Sequence, residues 1–536
     1  MKPPKFLILL LVFLSGFLLL AHHVIYQPLL SQGDHGRDLY AFAKTLDGHV
    51  PYRDYWWVYG PLMPYYYGLF FKIFGIGIKS ALLGKAVLTV FSGVFIFNAL
   101  SLFIPPLFAF LAAMWFLMFN PEFFFTYNHA GGITALTAIT SCLFLYIQTP
   151  RAKYLYGALL GVLILAVIKV NFGLAALFVT IVFFRVYDKI NRVPSSRSRK
   201  IFAVTAAVVT PLCIFLIYYG LLSRLPVYYI RQCLPYLSGD QPYHATLGET
   251  LKSLILAVVY NIKDGWPNRI FALVVIGAVV QSLRQIRSRD AEKTYRQIIA
   301  AFLLLVFFYT VNLHEYFMSG VIYRSYWAVP FSSMMIFLLL GFAVSRVSPS
   351  IQRMLFGTLF ILLFMRYTEE IDMIRAKRLP EQHLTVERGD VITDNSYDWF
   401  TTVNATTEFL KTRLPKDETF FALPYDPLYY YLTDKASPTR QLIFFEHINI
   451  PPEQEQTIIA ELEANNVNTI LISSRAQSGE PGLGVLGATY CPLLGQYITD
   501  HFEPVVFFGD WKNPPGWAWN HGTQILKRKK SLSTKI

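Results

Sequence analysis

The sequence predicts an α-helical polytopic membrane protein of about eleven transmembrane helices, followed by a C-terminal α/β domain outside the membrane. Three observations carry that expectation. Of 536 residues, 54% are hydrophobic and 15% charged, where soluble domains carry about 25% charged residues. Mean hydropathy over the whole chain is +0.41, a value suited to a lipid solvent. Charge is also divided: residues 1–366 hold 31 Lys and Arg against 12 Asp and Glu, whereas residues 367–536 hold 16 against 22. The net charge of +13 therefore arises in the apolar part, where retention of basic loops on the cytoplasmic side accounts for it. A nucleic-acid partner is not implied.

Apolar runs long enough to cross a bilayer, which takes about 20 residues or about 17 at the short end, fall at 5–25, 82–103, 106–120, 132–148, 154–170, 172–187, 201–222, 269–283, 298–313, 326–344 and 354–366. The first is read as a retained helix, because Ala21-His22-His23 is a poor cleavage site and the basic segment before the apolar run is too short for a signal peptide. With the N-terminus inside, the cytoplasmic pieces are the N-terminus, 151–153, 185–200, 284–296 and 346–353. They hold 17 Lys or Arg, while nine of the twelve acids fall outside. An odd helix count also places the acidic C-terminal part outside. Residues 1–366 are thus expected to form the membrane domain, with a first outer loop at 26–81, and residues 367–536 a soluble α/β domain. In the latter, 418–423, 468–473, 502–508 and 522–527 read as strands and 452–465 as a helix. The aromatic runs Tyr55-Trp56-Trp57 and Tyr65-Tyr66-Tyr67 suit a loop lying along the membrane surface in short helices.

Four cysteines are too few for a disulfide framework; Cys233 and Cys491 fall on the same side, and their pairing stays open. Zinc spacings, phosphate-binding glycine loops and nucleophile elbows are absent from the sequence, so no cofactor is expected. No motif requires a metal, although an acid-rich outer loop could bind one.

The informative stretch is Gly33-Asp34-His35-Gly36-Arg37-Asp38, directly after the first helix, followed by Asp47, Arg53 and Asp54. A carboxylate beside an apolar wall can take a proton from a hydroxyl. A guanidinium three residues away, one helical turn, can hold a phosphate through two parallel hydrogen bonds. The same residues also suit an outer loop that keeps its acids in water, and residue chemistry alone leaves both readings open.

The order of residues adds to this. Asp34-x-x-Arg37, Gly48-x-x-Pro51-Tyr52-Arg53-Asp54, Gly60-Pro61-Leu62 and Phe74-Gly75 resemble the first outer loop of GT-C-type membrane glycosyltransferases, close to bacterial aminoarabinose transferase and protein O-mannosyltransferases. The stretch from Phe421-Ala422-Leu423-Pro424-Tyr425-Asp426-Pro427 to Tyr431-Leu432 is similar to the outer domain of such enzymes. The resemblance implies a GT-C-like, multi-spanning enzyme of the bacterial inner membrane, working on the outer, periplasmic side with membrane lipid around it. Its donor would be a polyprenyl-phosphate sugar and its acceptor a lipid, glycan or protein. The resemblance further implies Asp34 as catalytic base, with inversion at the sugar of a hexosyl- or pentosyltransferase. Arg37, Arg53 and Lys169 would bind the donor phosphate. His35, Asp38, Asp54, Tyr59, Glu122, His129, His314, Glu315 and Arg324 are candidate substrate-binding residues. Two departures stand out: His35 replaces an acid that usually follows the catalytic aspartate, and Tyr59 replaces a lysine. The rival readings are a flippase or transporter of lipid-linked saccharides, and a lipid-linked glycan ligase or polymerase. Intramembrane acids would favour transport, yet nearly all acids here lie in loops.

Overall fold

The computed structural model describes residues 5–21, 30–119, 126–191, 197–234, 293–319, 322–376, 382–393, 399–478, 482–511 and 522–529, with a few isolated positions between 248 and 280. The chain begins with α1 (Lys5–Leu20), then α2 (Gln32–Leu46), α3 (Leu62–Phe74), α4 (Ile78–Leu100), α5 (Pro106–Phe119), α6 (Tyr127–Gln148), α7 (Ala152–Ile168), α8 (Val170–Asn191), α9 (Arg197–Leu222) and α10 (Val227–Cys233). It continues with α11 (Lys293–Asn312), α12 (His314–Ser319), a 3-10 helix (Ile322–Ala328), α13 (Val329–Val344) and α14 (Pro349–Ala376). Among the described residues six helices are long and apolar enough to cross a membrane, and four shorter apolar ones accompany them. Every expected span but one falls on these helices; 269–283 lies outside the described residues.

Small and hydroxylated residues let the helices approach. Gly161 of α7 faces Ile139 of α6, where an added Cβ would meet Ile139 Cγ1 at 2.6 Å. Ser92 and Thr134 share a hydrogen bond of 2.9 Å between α4 and α6, and Asn98 donates to Ser141 at 2.8 Å. Within lipid such contacts replace the hydrophobic drive that holds soluble helices together. The outward faces carry exposed Leu14 and Leu18 on α1, Val204, Val208 and Phe215 on α9, and Ile361 and Phe364 on α14, as expected of lipid-facing surface.

The C-terminal region carries β1 (Gln382–Leu384), β2 (Val391–Thr393), α15 (Trp399–Arg413), β3 (Phe421–Leu423), α16 (Leu428–Thr433), α17 (Pro452–Ala464), β4 (Thr469–Ser473), α18 (Pro492–His501), β5 (Phe502–Phe508) and β6 (Thr523–Arg528). β1 and β2 pair antiparallel. The larger sheet has the order β3-β4-β6-β5, with β3 parallel to β4 and the other pairs antiparallel. Ile458 and Leu462 of α17 and Leu494 and Ile498 of α18 pack on Phe421, Leu423, Ile470 and Ile472 in an apolar core. The four strands of this sheet and α17 fall where the alternating and periodic patterns predict them.

Two differences matter for the site. First, α6 begins at Tyr127 rather than 132, so His129 lies in its first turn. Its polar start, Tyr127-Asn128-His129, is buried rather than in an open loop. Second, Tyr55, Trp56, Trp57 and Tyr67 are almost wholly buried within the protein rather than laid out on a surface. The C-terminal region packs on this part of the chain: the Trp56 backbone N–H donates to the Arg440 carbonyl at 2.9 Å, and the Ser437 backbone N–H donates to the Tyr40 hydroxyl at 2.9 Å. α2 is therefore packed on nearly every side, despite its polar sequence.

Candidate active site

The first turns of α2 build the centre of the site. Ser31 N–H donates to His35 Nδ1 at 2.6 Å, which fixes the helix start, and the His35 ring stands edge-on to Tyr127. His35 is thus occupied in holding α2 in place. Asp34 and Arg37, one turn apart, meet on one face at 3.2 Å. Arg37 also donates from Nε (2.9 Å) and Nη2 (2.6 Å) to Asp38 Oδ1. Its guanidinium lies 4.9 Å from the Tyr59 ring centre and 5.5 Å from that of Trp57. Arg37 and Asp38 are buried, whereas the Asp34 side chain is 39% exposed. Of the three, Asp34 alone is open to a reactant.

Electrostatics follow from that burial. Asp38 is pushed up to about 6 by desolvation, with Arg37 pulling it back. Burial opposes the Arg37 charge, but Asp38, Tyr425, Tyr59 and Asp34 outweigh it and hold the guanidinium protonated, above its usual value. Tyr59 is likewise driven up by burial, so it stays a neutral hydroxyl.

A second group joins the first through Tyr59. Lys169 sits between α7 and α8, with its ammonium 5.7 Å from the Tyr59 ring centre and 2.6 Å from Glu315 Oε1. Both members of this ion pair are buried. Asn171 donates to Glu315 at 2.8 Å and lies 2.9 Å from His314 Nε2. His129 bonds to Thr126 and Tyr326, with its ring 5.9 Å from that of Tyr59. Arg324, in the neighbouring 3-10 helix, adds positive field at Lys169 and His129. A water-sized cavity of about 10 Å³ borders Tyr59, Gly60, Lys169 and Asn171.

The motif Gly60-Pro61 has a packing reason. Gly60 N–H donates to the Ile168 carbonyl at 2.8 Å, and an added Cβ would collide with the Val167 backbone. Only glycine lets this loop rest on the end of α7, and that contact sets Tyr59 beside Lys169.

Asp34, Arg37, Asp38, Tyr59, His129, Lys169, His314, Glu315 and Arg324 are thus brought together. Arg53 and Asp54 are not. Arg53 is 62% exposed and pairs with its neighbour Asp54 at 2.7 Å, so its charge is spent locally in solvent. Glu122 lies outside the described residues. Cys233 and Cys491 are both buried free thiols. Among the described residues no group of three His, Cys, Asp or Glu side chains is placed to hold a metal.

Two members were missed in the sequence. Tyr425 reads there only as part of a stretch similar to an outer domain, yet its hydroxyl donates to Asp34 Oδ1 at 2.8 Å and accepts from Arg37 Nη1 at 2.9 Å. Lys85 of α4 is wholly buried, with its ammonium 5.2 Å from the Tyr127 ring centre and within electrostatic reach of Asp38. A lone lysine inside an apolar helix was a usable signal, since such a charge inside a membrane seldom lacks a role.

No protein-family model matches the sequence, and no curated protein matches it. Its fold does have solved counterparts. ArnT from Cupriavidus metallidurans, bound to undecaprenyl phosphate, aligns over 97% of this chain and 97% of its own with a TM-score of 0.54 at 11% identity. The oligosaccharyltransferase AglB from Archaeoglobus fulgidus, in complex with an inhibitory peptide and a dolichol-phosphate, aligns over 88% of this chain and 70% of its own (TM-score 0.51, 11% identity). The mycobacterial arabinofuranosyltransferase AftD aligns over 97% of this chain, which spans 40% of AftD (TM-score 0.50, 13% identity). The chain has the fold of GT-C membrane glycosyltransferases.

Proposed function

We propose that this protein is an inverting glycosyltransferase that takes a sugar from a polyprenyl-phosphate donor and passes it to a lipid, glycan or protein hydroxyl. The observation that carries the reading is one cluster: an accessible carboxylate, Asp34, at the edge of a wall of buried cations, Arg37 and Lys169. Asp34 accepts the proton of the acceptor hydroxyl. The acceptor oxygen attacks the anomeric carbon as the bond from that carbon to the phosphate oxygen breaks, and the electron pair leaves on the phosphate. Arg37 and Lys169 stabilise that charge from a preorganised, water-poor setting. Arg53 drops out of the phosphate set. Likeness to a protein bound to undecaprenyl phosphate supports a polyprenyl monophosphate carrier. We place residues 1–366 in a bacterial membrane by the resemblance to bacterial enzymes, and the site with residues 367–536 on its outer, periplasmic side by loop charge.

The test is turnover of a labelled polyprenyl-monophosphate sugar by the purified chain in liposomes, wild type beside Asp34→Asn. Sugar release or transfer by wild type alone supports the reading. Equal turnover by both removes Asp34 as the base. Lipid movement across the bilayer without turnover would favour the flippase, and use of diphosphate donors alone the ligase or polymerase.

A further inference from the structure

The C-terminal region reaches into the centre of the cluster at one point. Tyr425, directly after β3, places its hydroxyl between Asp34 and Arg37 and bonds to both. The hydroxyl is used in both senses, as donor to the carboxylate and acceptor from the guanidinium. Burial raises Tyr425 well above the ordinary phenol range, which keeps the proton on oxygen and the donor role intact. Asp34 Oδ1 is then engaged twice, by Arg37 and by Tyr425. Oδ2 has no such bond among the described residues, and it belongs to the one carboxylate of the cluster with substantial exposure.

We infer that Tyr425 is a positioning residue for the reaction: it turns Asp34 so that Oδ2 faces the acceptor and locks the plane of Arg37, so the site is complete only with residues 421–431 docked on α2. The inference rests on Asp34 being the base. Arg37 is gripped on one edge by Asp38, through Nε and Nη2, and on the other by Asp34 and Tyr425, through Nη1. The ring itself has no freedom to drift. An added Cβ at Gly33 would lie 2.6 Å from Tyr425 Cδ1, and the Arg475 guanidinium stands 5.8 Å from the ring centre. α2 and the segment after β3 are shaped to each other around this one hydroxyl.

The experiment uses the full chain in liposomes with the labelled donor, comparing Tyr425→Phe, Gly33→Ala, Tyr497→Phe and Asp34→Asn. Tyr425→Phe keeps the ring and removes both bonds. Its kcat is expected to fall roughly ten- to a hundredfold, the effect of losing a hydrogen bond to a charged group, with KM for the donor nearly unchanged. Gly33→Ala keeps the hydroxyl but pushes the ring aside, and should lower kcat in the same way. Tyr497→Phe removes another C-terminal hydroxyl, bonded to Glu463 and Arg528 and not to the cluster, and should leave kcat at the wild-type value. Wild-type kcat in Tyr425→Phe, a loss confined to KM, or an equal loss in Tyr497→Phe would each overturn the inference. If Asp34→Asn is inactive while Tyr425→Phe turns over normally, only the inference fails. If Asp34→Asn turns over normally, the reading of Asp34 fails and takes the inference with it.

Discussion

Replacing Gly36 by alanine tests whether the fit between α2 and the C-terminal region controls the chemistry. Gly36 lies inside α2, where glycine costs a helix about 1 kcal/mol relative to alanine. Local propensity alone therefore predicts a more stable protein. The structure predicts the reverse. An added Cβ would lie 2.6 Å from Leu428 Cβ, 2.7 Å from Leu428 N and 2.9 Å from its Cα. Two of these are backbone atoms, so no rotamer change relieves them, and overpacking of this kind costs about 1–3 kcal/mol. The balance is a net loss of up to about 2 kcal/mol. Ordinary contact begins near 3.4 Å, so α2 and α16 must part by the difference from 2.6 Å, about 0.8 Å. A displacement of that size along the 2.8 Å bond from Tyr425 to Asp34 stretches it to at most about 3.6 Å, a separation at which no hydrogen bond remains. Thermal unfolding in detergent and donor turnover in liposomes are the assays. The control is Gly357→Ala, where nothing lies within 4 Å of the new methyl group and stability should hold or rise. Gly36→Ala with wild-type melting temperature and turnover would refute the argument, since it would mean the two elements separate at no cost.

Three further outcomes follow from the same geometry. Asp38, pushed up to about 6 by burial, takes up a proton as pH falls through that value. Its pKa in the fold exceeds the unfolded value of about 3.9, so its anion costs stability above pH 6 and that cost fades as pH falls from about 6 to about 4. Turnover should nevertheless drop below pH 6, because a neutral Asp38 grips Arg37 less firmly; the pH–rate profile of Asp38→Asn should lack that limb, and an unchanged limb would exclude Asp38 as its source. Glu315→Ala removes the carboxylate 2.6 Å from Lys169 in a buried setting, and should cost about 3–5 kcal/mol, read as a lower melting temperature that Lys169→Met in the same chain partly restores. Lys169→Gln alone should weaken donor use more than tenfold, measured as kcat/KM, if its ammonium meets the phosphate; a change in melting temperature without one in kcat/KM would confine it to structure.

What the sequence reveals and conceals follows the range of the forces involved. Spans such as Ile201–Leu222 are legible because each is a long, uncharged, predominantly apolar run, a purely local property. Strands such as Thr469–Ser473 are legible for a similar reason, being short apolar runs between turn residues. The packed polar run from Asp34 to Asp38 is legible as chemistry because so much charge directly after an apolar helix needs a purpose. Tyr425 was not, because it reaches Asp34 across 391 positions, and its own stretch marks a likeness to an outer domain without tying it to the polar run after the first helix. Tyr55, Trp56 and Trp57 misled for the same reason: aromatic residues suit a membrane surface and a covered core equally, and the Arg440 carbonyl that decides between them is far along the chain. Arg53 shows the converse error. Its charge is visible in the sequence, but whether it turns toward Arg37 or toward Asp54 depends on backbone direction, and it turns to Asp54.

The bond between Asp34 and Tyr425 also bears on topology. Two residues that share a hydrogen bond stand on one side of a membrane, so the chain between them crosses an even number of times. The ten spans expected after the first satisfy that condition, and removing any single one of them, 269–283 included, would break it. The contact makes no distinction between the two sides. Loop charge does: with the Asp34 side outside, 17 Lys and Arg fall in the short inner pieces and nine of twelve acids fall outside, and inverting the chain would reverse both. The proposed outer-face chemistry thus rests on two independent arguments. One joins the carboxylate to the C-terminal region, and the other decides which compartment they share.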